Sequence, residues 1–146
     1  MENKTNKMHV TFDAKSVNEA FARMTVMAFM TDMNPTLDEL EDVKTAVSEA
    51  VTNAIIHGYE DENEQVELSC TREGEKLIVV VEDKGVGIPD VEEARQPFYT
   101  TKPEQERSGM GFAFMEAFMD EIQVVSKVGE GTRVTMTKYI ARDCDQ

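Results

Sequence analysis

Residues Leu77 to Val81 read LIVVV, an unbroken apolar run between Lys76 and Glu82. Successive side chains of a strand point to opposite faces, so this strand is apolar on both. It is therefore expected in the interior of a sheet, flanked by other strands. Gln65 to Thr71 precedes it, joined through Glu73-Gly74, which suits a hairpin. Alternation at Met8 to Phe12 predicts a further strand. Two more, about Ile122 to Lys127 and Thr132 to Tyr139, flank the turn Val128-Gly129-Glu130-Gly131.

Three helical segments lie between these strands. Ser16 is expected to cap the first, which runs to about Met33 and is rich in Met and Phe. Such a stripe is expected to serve as core, because flexible Met fills irregular space; Met-rich faces also serve as adaptable binding surfaces. Arg23 is the one basic residue within it and fits a solvated surface charge. Asn34-Pro35 interrupts the pattern, and Thr36 with Glu39 has the spacing of a capping box for a helix from Leu37 to His57, ended by Gly58. Met110 to Asp120 reads as the third. Between Asp83 and Gly111 lies a segment punctuated by Gly85, Gly87, Pro89, Pro97, Pro103 and Gly109, with a short helical turn expected near Val91 to Arg95. Loops this long within a compact domain are usually functional or disordered.

A chain of 146 residues, 40% of them hydrophobic, is expected to form a single domain, with a core over 8–140 and a mobile tail over 141–146. Acidic residues outnumber basic ones 29 to 15, and the net charge of -14 opposes nucleic acid and anionic lipid while attracting a basic protein surface. No signal-peptide pattern or membrane-spanning run is present in the sequence, so a cytoplasmic protein is expected. Cys70 and Cys144 lack metal-ligand or CxxC spacing and are read as free thiols.

Three short patterns carry chemistry. In SEAVTNAIIHG, residues 48–58, Glu49, Asn53 and His57 recur every four residues and share one helical stripe. Asn53 offers a neutral oxygen to a hard cation such as Mg²⁺, and Glu49, one turn earlier, a carboxylate able to take a proton. Taken singly, Glu49 fits an exposed helix residue better and Asn53 a satisfied buried amide better; His57 fits packing at the helix end better than ligation. In DKGVGIP, residues 83–89, Asp83 leaves the apolar strand as an acceptor for an exocyclic amine, and Gly85 and Gly87 allow close approach of a flat ligand. A plain turn or calcium loop is the other reading of that pattern. Ser108-Gly109-Met110-Gly111 stands before a helix, where exposed backbone N–H groups suit phosphate. Arg107 and Lys102 precede it and can supply positive charge to an anion.

Taken in order, Glu49 to Asn53, Asp83 to Gly87 and Gly109 to Gly111 resemble the three motifs of the GHKL superfamily of ATP-binding domains; Gly131-Thr132 matches its closing element. Within it the chain is similar to the small anti-sigma factor serine kinases, on SEAVTNAIIHGY and GVGIPDVEEARQPFYTTKPEQERSGMGF, the sporulation branch being nearest. The resemblance covers about Met8 to Ile140. It implies an α/β two-layer sandwich of the Bergerat type, in which helices cover one face of a mixed sheet and a lid over about 90–108 closes on ATP or ADP.

It further implies a Mg²⁺-dependent kinase that transfers the γ-phosphate of ATP to a serine of an anti-anti-sigma protein. The same protein would sequester an F-type sporulation sigma factor in its ATP state and form a homodimer. On this sequence Glu49 would be the general base, Asn53 the Mg²⁺ ligand and Asp83 the reader of the adenine amine. Gly85, Gly87, Ser108, Gly109, Met110 and Gly111 would shape the pocket, with Thr132 near the adenine. Arg107 would reach towards phosphate, Thr100 and Lys102 would lie in the lid, and Arg23 would contact partners. A stress-response anti-sigma kinase, an ATP-gated binding module without kinase activity, and a detached histidine-kinase ATPase domain are the competing readings; the last would lack its upstream phosphoacceptor helix.

Overall fold

The computed structural model describes residues 4–58, 64–95 and 111–140. Five strands, β1 (Thr5–Asp13), β2 (Gln65–Glu73), β3 (Lys76–Asp83), β4 (Glu121–Lys127) and β5 (Gly131–Tyr139), form one sheet in the order β1-β2-β3-β5-β4. The doubly apolar β3 takes the middle place, as its composition requires. Its Leu77, Val79 and Val81 are buried, whereas Ile78 and Val80 on the opposite face are only half-buried. One face of the sheet is thus covered and the other is open.

The two-layer α/β arrangement agrees with expectation, but the sheet is not mixed: all four pairings are antiparallel. The reason is topological. β5 folds back from β4 through a tight turn and inserts between β4 and β3, so β3 and β4, which run in the same direction, never become neighbours.

Helices α1 (Asn18–Phe29), α2 (Leu37–Asn53), α3 (Val91–Ala94) and α4 (Gly111–Phe118) complete the described residues. α2 is the central helix, packed between α1 and α4. Val43, Ala46, Val47, Ala50 and Val51 recur at helical spacing on its buried face. Burial of each valine contributes roughly 1.5–3 kcal/mol against leaving it exposed. The predicted capping box is present: Glu39 N–H donates to Thr36 Oγ1 at 3.1 Å, and Thr36 N–H donates to Glu39 Oε1 at 2.9 Å. Lys138 ties this layer to the sheet, donating to Asp42 on α2 at 3.2 Å and to the Phe118 carbonyl ending α4 at 2.8 Å.

α1 departs from expectation in three ways. Ser16 does not cap it; Val17 holds the capping position in a right-handed helical conformation, and the Asn18 amide instead ties back to the Asp13 carbonyl at 2.9 Å. The helix ends at Phe29, followed by a 3₁₀ turn, Thr31–Met33, and by Asn34 in the left-handed region at φ 59° before Pro35. Its Met/Phe content is only half core: Phe29, Met30 and Met33 are buried, while Phe21 and Met24 are 67% and 59% exposed.

Candidate functional site

β3 ends on Asp83, and three strand ends meet there in one row. Asp83 pairs with Thr132 at the start of β5, and Thr132 pairs with Ser126 near the end of β4. Cross-strand neighbours on one face of a sheet lie about 5 Å apart at Cβ. The alternation that buries Val79 and Val81 also turns Asp83 to the covered face, where it is 5% exposed.

The Gly85 N–H donates to Asp83 Oδ1 at 2.9 Å. Burial pushes the Asp83 carboxyl up to about 6, and the neighbouring Glu82 charge adds to this; the backbone N–H groups of Gly85 and Thr132 work against it. A buried carboxylate with spare lone pairs at a strand end is an acceptor for N–H donors of a ligand.

The loop after Asp83 lies against the β4–β5 turn. Gly87, at φ 79°, approaches the Lys127 backbone so closely that a side chain there would collide with it. The Gly129 N–H donates to the Val86 carbonyl at 2.9 Å, and the Ile88 N–H donates to Ser126 Oγ at 2.7 Å. Gly131, at φ 103°, leaves equally little room beside the Asp83 and Lys84 backbone. The glycines of the two motifs therefore allow two segments to pack with their backbones in contact.

Glu49 and Asn53 lie one turn apart at the C-terminal end of α2, both half-buried. Beyond Asn53 the helix widens into a π turn, Ala54–Gly58, which packs on β3 and β5. Such turns occur often at functional sites. The end of the carboxylate and amide stripe is thus brought to the strands that carry Asp83 and Thr132. Among the described residues no group of three or more His, Cys, Asp or Glu could hold a metal ion.

Gly111 opens α4, which packs against α2. Arg95, immediately after α3, makes an ion pair with Glu116 of α4. Arg23 sits on α1, its Nε 3.6 Å from Glu19 Oε2; both atoms are buried and lack a hydrogen-bond partner. Thr100, Lys102, Arg107, Ser108, Gly109, Met110 and Cys144 lie outside the described residues, as do most of the segment expected as a lid and the C-terminal tail. Cys70 is a free, buried thiol, which burial pushes up to about 12.

Ser126 escaped the reading of the sequence. A lone Ser in a strand carries no motif, and only the register that places it opposite Thr132 gives it meaning.

Residues 11–138 match the family described as histidine kinase-like ATPase domain. An anti-sigma F factor of Geobacillus kaustophilus is 59% identical over 138 residues, covering 94% of each chain. One of Clostridium kluyveri is 56% identical over 133 residues, covering 91% of this chain and 94% of the relative. Among solved structures, that of the RsbU and RsbW domains of Rv1364c from Mycobacterium tuberculosis superposes with a TM-score of 0.69 at 21% identity. It matches 94% of this chain and 33% of its own length, a likeness of fold.

Proposed function

Because this chain belongs to the histidine kinase-like ATPase domain family, we propose that it binds ATP and acts as an F-type anti-sigma factor and protein serine kinase. The observation that carries the nucleotide part is the row of Asp83 and Thr132 beside backbones packed too closely for side chains at Gly87 and Gly131. A buried acceptor at a strand end, held where two backbone segments lie in contact, suits the exocyclic amine of an adenine edge. The names of relatives at 56% and 59% identity favour the F type over a stress-response type.

In this reading Glu49 takes the proton of a substrate serine as its Oγ bonds to the γ-phosphorus and the bond to the β–γ bridging oxygen breaks, releasing ADP. Asn53 would hold Mg²⁺ through its side-chain amide oxygen. When bound, Mg²⁺ supplies charge neutralisation at the phosphates. Gly111 at the start of α4, with Ser108, Gly109 and Met110 before it, is the phosphate-binding backbone, and Arg107 and Lys102 bring positive charge. Thr100 and Lys102 belong to the lid over about 90–108.

The partners in this reading are a sporulation sigma factor and an anti-anti-sigma protein, the latter as phosphorylation substrate, with the chain acting as a homodimer in the cytoplasm. A net charge of -14 suits a basic protein surface and opposes direct nucleic-acid binding. No helix among the described residues is long and apolar enough to cross a membrane. Arg23, which pairs with Glu19 on the helix that also carries exposed Phe21 and Met24, is the residue assigned to partner contact in this reading.

The test is phosphate transfer from labelled Mg-ATP to a purified anti-anti-sigma protein, with ATP binding and sigma-factor capture measured in parallel. Transfer together with ATP-dependent capture is expected. ATP-dependent capture without transfer would leave an ATP-gated binding protein, and no ATP binding would remove the reading altogether.

A further inference from the structure

Thr132 has Asp83 on one side and Ser126 on the other, so any ligand read by the first two residues meets the consequences of the third. Ser126 Oγ has three polar neighbours: Ile88 N at 2.7 Å, Thr132 Oγ1 at 2.8 Å and the Gly131 carbonyl oxygen at 3.1 Å. A hydroxyl has one proton to give and two lone pairs to receive. The Ile88 N–H can only donate, and the Gly131 carbonyl can only accept. For all three contacts to be hydrogen bonds, Ser126 gives its proton to Gly131 and receives that of Ile88. Its third contact is a hydrogen bond only when Thr132 donates.

One assignment of protons satisfies all three contacts, and it commits the Thr132 proton to Ser126. Thr132 Oγ1 is then left with lone pairs, beside an Asp83 carboxylate that, when ionised, is also acceptor-only. We propose that Ser126 is a positioning residue that fixes the polarity of this row, holding Thr132 as a second acceptor beside Asp83. The row thereby selects a base edge bearing an exocyclic amine over one bearing a carbonyl. The same hydroxyl pins the loop after Asp83 through Ile88. This inference rests on the nucleotide reading of the site given above.

A carbonyl in place of the amine would face two acceptors and no donor. Without Ser126, Thr132 is free to rotate its proton towards that carbonyl, and discrimination relaxes. A role limited to anchoring the loop predicts something different: all nucleotides would weaken in the same proportion.

The experiment measures dissociation constants for ATP and for inosine triphosphate, which carries a carbonyl where adenine carries its amine. Wild type is compared with Ser126→Ala, Ser126→Thr and Ser126→Val. In Ser126→Ala, ATP affinity is expected to fall about tenfold, the effect of one lost hydrogen-bonding group. The preference for ATP over inosine triphosphate is expected to fall with it, by at least about fivefold. Ser126→Thr retains the hydroxyl and keeps the preference; Ser126→Val, of nearly the same shape, loses it. Should the alanine variant fail to fold, the contrast between Thr and Val decides the matter. Equal weakening for both nucleotides, or no difference between Thr and Val, overturns the assignment of Ser126 alone. Failure of folded wild type to bind ATP overturns the nucleotide reading and this inference with it.

Discussion

Gly131 packs against Asp83 so tightly that a Cβ on the glycine would overlap the Asp83 carbonyl oxygen. The contact joins the start of β5 to the end of β3, at the point where the acceptor carboxylate leaves the sheet.

Gly131→Ala is therefore expected to cost roughly 2–4 kcal/mol, from backbone strain at φ 103° plus displacement of the loop after Asp83. Gly129→Ala is the control: its φ is 83°, but nothing lies within 4 Å of the added methyl. It should cost only about 1–2 kcal/mol, the strain of the left-handed region. Thermal or urea unfolding of the two variants checks the difference. Equal losses would show that conformation, rather than the close packing, is what requires Gly131.

Asp83 makes both stability and ligand affinity depend on pH, with opposite signs. Its carboxyl is raised from 3.8 to about 6, so between those values the folded protein retains a proton that the unfolded chain releases. Its contribution to stability is greatest below 3.8, falls as pH rises through about 6, and is constant above. The change amounts to roughly 2–3 kcal/mol. A ligand amine, in contrast, needs the ionised carboxylate, so affinity for ADP should hold steady above about pH 6 and decline below it. Measuring wild type beside Asp83→Asn removes the titration of the phosphates. A parallel decline in both proteins would take Asp83 out of base recognition.

Much of this arrangement is legible in the sequence because it depends on local patterns. The apolar run of β3 fixes its central place, Thr36 and Glu39 announce the start of α2, and the β2–β3 hairpin expected through Glu73-Gly74 forms one residue later, with Glu73 paired to Lys76 and Gly74-Glu75 as its turn. Glu49 and Asn53 follow from helical spacing, and Asp83 from its place after an apolar strand. What is hidden depends on tertiary order. The insertion of β5 between β3 and β4 makes the sheet antiparallel and puts Ser126 beside Thr132, which no local pattern announces. The exposure of Phe21 and Met24 depends on which side of α1 meets α2, and their apolar character misleads.

Arg72 is another such residue. In the sequence it sits among polar neighbours near a hairpin, yet its side chain is 4% exposed, donating to Asp32 Oδ2 at 3.1 Å and to the Gly74 carbonyl at 2.8 Å. Asp32→Ala removes the carboxylate that pairs with this buried guanidinium and is expected to cost about 1–3 kcal/mol. Arg72→Met replaces the charge with apolar volume and should cost less than that. The opposite ranking in urea unfolding would mean that Arg72 contributes chiefly through its packing.

Asn53→Ala separates metal-dependent from metal-independent binding. With the amide oxygen removed, ATP affinity in the presence of Mg²⁺ should drop about tenfold or more, by the loss of a ligand to a hard cation. Affinity measured in EDTA should change little. Isothermal titration under both conditions gives the comparison, and an equal loss in each would assign Asn53 to the nucleotide or to the fold of the α2 terminus.

Glu49→Gln tests the chemical step on its own. The substitution keeps the length of the side chain and one acceptor oxygen at a half-buried helical position, so the fold and Mg-ATP binding should be preserved to within about twofold. The amide cannot accept the proton of a serine hydroxyl, and loss of general-base catalysis lowers rates by about 10²–10⁴-fold. Single-turnover transfer from labelled ATP, at nucleotide and substrate concentrations above saturation, isolates that step from binding. A fall of this size with unchanged ATP affinity and unchanged sigma-factor capture assigns Glu49 to proton transfer. Transfer at the wild-type rate would remove Glu49 as the base, and loss of ATP binding together with transfer would move it to the nucleotide site.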